Sequence, residues 1–83
     1  MFVNPIELAM TVNRVRNYSS ELRNQLVKKA TRDIPHLAAD AKKQLLSMCY
    51  DEIFLGWAGM PRENPDTNLL KTSLACYYLE HHN

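Results

Sequence analysis

Glu52 is the carboxylate of this sequence best placed for acid or base work. On a helix turning about 100° per residue it falls between Leu45 and Met48, inside an apolar arc. A carboxyl group buried there would have a raised pKa and could exchange a proton near neutrality. The competing reading sets Glu52 at the core edge, paired with a Lys or Arg of a neighbouring helix. Lys42, toward the other edge of the same arc, invites that reading too. No nucleophile elbow, glycine-rich phosphate loop or His-Glu-x-x-His accompanies Glu52. The expectation is therefore a protein that is not an enzyme and uses no cofactor.

The soft metal ligands are Cys49, Cys76, His36, His81 and His82. None forms a close Cys–Cys or His–His pair of the kind that structural zinc needs. No metal site is expected. Two cysteines do not make a disulfide framework, and both sit in apolar helical patterns, so buried free thiols are expected.

A third chemistry is electrostatic. Residues 1–32 carry Arg14, Arg16, Arg23, Lys28, Lys29 and Arg32 against only Glu7 and Glu21. Such a surface could meet nucleic acid or an acidic partner. Against that, Glu7, Arg14, Glu21 and Lys28 recur every seven residues as a mixed-sign face. Lys28, Lys29 and Arg32 also suit the end of a helix, where cations complement the dipole. Nucleic acid is therefore the disfavoured alternative.

The fourth group is apolar. Phe54 and Leu79 project away from their helices' main stripes, with Trp57, Met60, Arg62 and Tyr78 nearby in sequence. Aromatics, Met and Arg are enriched at the centres of protein interfaces. The alternative is that Trp57 and Tyr78 plug the end of a bundle beneath the loop at 59–66. The predicted partner-binding set is Phe54, Trp57, Met60, Arg62, Tyr78 and Leu79.

Helices must position all of these residues. Asn4 caps the first, with Pro5 at its first position and Glu7 three residues after the cap. Leu8, Val12, Val15, Leu22, Leu26 and Ala30 then share an arc of about 80°. This reads as one long helix over 5–31, with a break at 17–20 (Asn-Tyr-Ser-Ser) as the alternative. A second helix is capped by Asp33 or Ile34 and runs to about Ala58, with Gly59 as its left-handed terminator and Pro61 beyond. Its arc holds Leu37, Ala38, Ala41, Leu45, Leu46, Met48, Cys49, Ile53 and Trp57 and leaves Phe54 outside. A third helix, capped by Asp66 or Thr67, runs to about Glu80 and is apolar almost all round. Hairpin signals are absent. The predicted fold is an all-α three-helix bundle with antiparallel neighbours, a single domain over 1–83.

Bulk properties fit. The chain has 83 residues, a formal net charge of +1, 46% hydrophobic and 23% charged residues. That excludes a disordered chain and argues against a generic polyanion binder. The longest stretch without charge, Ile53–Pro61, is far short of a membrane span. No secretory signal is legible at the N-terminus, so a cytoplasmic location is expected. A chain this short is marginal alone, and an all-apolar third helix suggests a homodimer. The expected role is a regulator or adaptor that binds, modulates or sequesters a protein partner, as small inhibitor proteins do.

Overall fold

Asn4 opens the first helix as its chemistry predicts. Its Oδ1 accepts from the backbone N–H groups of Ile6 (3.0 Å) and Glu7 (3.3 Å), and Pro5 is the first helical residue. A computed structural model describes residues 2–82. It shows α1 (Pro5–Val15), α2 (Ser20–Asp33), α3 (Leu37–Tyr50), α4 (Glu52–Trp57) and α5 (Thr67–His81), with no strand among the described residues.

The long first helix of the sequence reading is two helices. α1 stops at Val15, and Ser19 caps α2 with its Oγ accepting from the Leu22 N–H at 3.1 Å. An unbroken helix over 5–31 would be roughly 40 Å long, beyond the 32 Å longest extent of the fold. Arg23 holds the corner. Its guanidinium donates to the carbonyls of Arg16 (3.1 Å) and Tyr18 (3.3 Å). Carbonyls just past a helix C-terminus lack helical partners, so a cation suits them.

The second helix is also divided. α2 ends when Ile34 donates to the Ala30 carbonyl at 3.0 Å. Pro35 and His36 form a turn, and α3 starts at Leu37, later than the Asp33 or Ile34 cap predicts. Asp51 then takes an extended backbone, and its carboxylate accepts from the Phe54 N–H at 3.0 Å to cap α4. α4 closes with Met60 N–H donating to the Leu55 carbonyl (2.9 Å) and Gly59 N–H to that of Gly56 (3.1 Å). This is a Schellman closure, and Gly59 sits at φ +65° as it requires.

α5 is the axis of the fold. α1, α2 and α3 each pack against it. Asp66 caps it through the Leu69 N–H at 3.1 Å. From Leu69 to Tyr78 every residue except Lys71 is buried. Thr72 and Ser73 satisfy their hydroxyls on the carbonyls of Asn68 (2.9 Å) and Leu69 (2.7 Å). The expectation that this helix needs a second copy to cover it is therefore corrected. Two additional corners let three short helices of one chain surround it.

Candidate functional site

The corner at Asp51 decides which residues reach the surface. A continuous helix would have placed Ile53 and Trp57 in the core arc and Phe54 outside. The extended residue resets the helical phase. Phe54 and Leu55 become core at 2% and 1% exposure, while Ile53 and Trp57 stand outside at 68% and 49%. The prediction for Phe54 is thus inverted, for a stated reason: a cap inside the segment rotated everything after it.

Trp57 lies beside α1. Ile6, Ala9, Met10, Asn13 and Trp57 line a shallow cleft of about 280 Å³. The junction is fastened by polar contacts beneath it. Asn13 Nδ2 donates to the Trp57 carbonyl at 3.3 Å. Arg16 donates to the Ala58 carbonyl at 2.5 Å and to Asn13 Oδ1 at 2.7 Å. The surface so formed carries Ile6 and Met10 one turn apart on α1, and Ile53 and Trp57 one turn apart on α4. All four are exposed. Leu46 and Tyr50 of α3 are exposed as well.

The predicted partner-binding set divides. Trp57 and Arg62 are exposed and Leu79 is half-buried. Phe54, Met60 and Tyr78 are core. Tyr78 meets Tyr77 edge-on, with ring centroids 6.4 Å apart. Ile6 and Met10 did not enter the sequence reading. Their signal was present: Phe2, Ile6 and Met10 are spaced by four, on the face opposite the first helix's apolar stripe.

Most of the basic residues serve the fold. Arg14 pairs with Glu80 and also donates to Cys76 Sγ at 3.8 Å. The Glu80 hydrogen bond raises the guanidinium's already high pKa. Arg16 and Arg23 fasten the corners already described, and Arg32 pairs with Asp33 at 3.0 Å. That contact holds the Asp33 carboxyl below its ordinary value. Lys28 and Lys29 alone of the six form neither an ion pair nor a side-chain hydrogen bond among the described residues.

Glu52 is not buried. As the first residue of α4 it is two-thirds exposed and pairs with Arg62 at 2.8 Å. Of its sequence reading the cationic partner holds, although Arg62 lies in the loop after α4 and not on a neighbouring helix; the desolvated acid does not hold. Cys49 and Cys76 are free thiols, the first half-buried and the second buried. Burial pushes the Cys76 thiol above its ordinary value. Among the described residues no group of His, Cys, Asp and Glu is arranged to hold a metal ion. His81 instead stacks on Tyr77, with ring centroids 4.1 Å apart, and contacts Glu7 at 3.4 Å.

No protein-family model, curated protein or solved structure matches the chain. The candidate site therefore rests on its own geometry: an apolar ridge of α1 and α4 around Trp57.

Proposed function

We propose that this chain is a small non-enzymatic regulator or adaptor that binds a protein partner through the Trp57 ridge. One observation carries the reading. The chain closes its own core around α5, yet exposed Ile6, Met10 and Trp57 share one cleft between α1 and α4, with exposed Ile53 one turn before Trp57. Single exposed hydrophobes need no explanation, whereas a contiguous group does. Trp is the residue most enriched among interface hot spots, and Met adapts its shape to a partner. No helix of the described residues is long and apolar enough to cross a membrane, so these side chains are not a spanning segment. The proposal includes a cytoplasmic setting, supported by two thiols left unpaired.

The test is affinity capture with the tagged protein and its Ile53→Ser/Trp57→Ser variant, at 50 and 300 mM salt. The expected result is a stoichiometric protein held at both salts by the parent and lost by the variant. Sedimentation of both proteins checks whether the occupant is a second copy. Capture only at low salt, abolished by nuclease, would replace this reading with nucleic-acid binding. Phosphate contacts weaken steeply over that salt range. Equal capture by parent and variant would remove the ridge from the interface.

A further inference from the structure

A second concavity lies on α2, α3 and α5 and shares no residue with the Trp57 ridge. It has a volume of about 370 Å³. α2 and α3 each pack on α5 but touch one another little. The turn at 34–36 joins them beside the lining residues Thr31 and Leu37, and so bounds one end.

Its walls are the least finished part of the core. On α2 only Ala30 is buried, while Leu26 and Val27 remain half-buried. On α3 only Leu37 and Met48 are buried, and Ala41 and Leu45 are half-buried. Val27, Ala41 and Leu45 line the cleft, with buried Leu37 and Leu74 among them. An amphipathic helix normally gains its stability by covering such a face. Here a linear apolar chain would complete the cover.

The polar lining has one sign. Among the described residues, Lys42 of α3 and Lys71 of α5 are its only ionisable ones, and no carboxylate side chain lines it. Both lysines are exposed, and neither forms an ion pair among the described residues. Thr31, the remaining polar group, donates its hydroxyl to the Val27 carbonyl at 2.8 Å. Apolar walls with a few convergent polar groups, at this volume, are the pattern of a small-molecule site. Two ammonium groups with no opposing anion select a negative head group.

We infer that the α2–α3–α5 cleft binds a small anionic amphiphile, a linear aliphatic carboxylate. Its tail fills the apolar cleft, and Lys42 and Lys71 meet its head group. The inference does not depend on the Trp57 ridge.

Decanoate, used below its micelle concentration, is the probe. It is compared with decyltrimethylammonium of the same chain length, by calorimetry and thermal melting of the full chain. Saturable one-to-one binding and a raised melting temperature are expected with decanoate only. The Lys42→Gln/Lys71→Gln variant, altered at two exposed positions, should keep its fold and bind decanoate about tenfold more weakly. Ala41→Phe, which fills the cleft, should abolish binding. No binding of decanoate, equal binding of the cation, or undiminished binding by the lysine variant would each overturn the inference. A partner protein that competes with decanoate would instead identify the cleft as a second protein-binding surface and overturn it too.

Discussion

Phe54 and Trp57 lie three residues apart and carry opposite consequences. Phe54 is core, so Phe54→Ala loses both its transfer energy and the packing around it, about 3–5 kcal/mol. A domain of this length has about 4–12 kcal/mol of stability in all, so that variant should lose at least about a quarter of it. Trp57 is half exposed, and Trp57→Ala should cost about 1 kcal/mol or less while removing partner binding. Urea titrations of the two variants separate these outcomes; a Trp57→Ala variant that melts would make Trp57 a core residue. Cys76 offers a second test. Burial pushes its thiol above the ordinary 9.0, with Arg14 opposing, and burial likewise pushes Tyr78 above 10.0. In both cases the folded chain holds the proton more tightly than the unfolded chain. That stability is complete below about pH 9 and is lost as pH rises through the folded values. Melting temperature should be flat from neutrality to about pH 8.5 and fall beyond pH 9. Cys76→Ala should remove the first part of that fall. A thiol reagent at neutral pH should modify Cys49 well before Cys76.

Helix ends are where local chemistry speaks most directly. Asn4, Pro5, Gly59 and Asp66 occupy the capping positions their residue types predict. Each acts on its own backbone, so sequence neighbours are enough to foresee it. Asp51 follows the same chemistry, but it sits within an apolar pattern that reads equally well as continuous helix. Only the packing of Phe54 and Leu55 into the core favours the break. Asp51→Ala should therefore cost about 1 kcal/mol, the usual value of a cap, and loosen α4 first. Gly59→Ala should cost about 1–2 kcal/mol through its positive φ alone. A Cβ there would meet Arg16 only at ordinary contact distance, 3.5 Å. Denaturant midpoints at constant slope would check both values.

Across the whole molecule, stability is uneven. α5 is buried along most of its length, whereas α2 contributes a single buried residue. Hydrogen exchange should show α5 amides opening only with global unfolding and α2 amides opening earlier. Comparable protection of α2 and α5 would mean that α2 is held as firmly as the axis. The same unevenness explains why the fold leaves two unlike surfaces. The Trp57 surface is a shallow apolar cleft between α1 and α4, and suits a protein surface. The α2–α3–α5 cleft is concave, lysine-edged and incompletely filled, and suits a small amphiphile. Arg14–Glu80 links α1 to the end of α5, and Arg16 links α1 to α4, so α1 is tied at both contacts that the ridge requires. Arg16→Ala should cost about 1.5–3 kcal/mol and blunt partner binding through the displaced α4.

The amino-acid sequence by itself determined the all-helical class and the helix ends at Asn4, Gly59 and Asp66. It also marked the third predicted helix as apolar on nearly every side. Those properties follow from periodicity and from side chains that bond within a few residues of themselves. The tertiary structure decided the number of helices, the covering of α5 by its own chain and the orientation of the α4 residues after Asp51. Helical phase beyond a break is not carried by the local pattern. It is fixed by which face finds the core, and here Phe54 found it, leaving Ile53 and Trp57 to the surface.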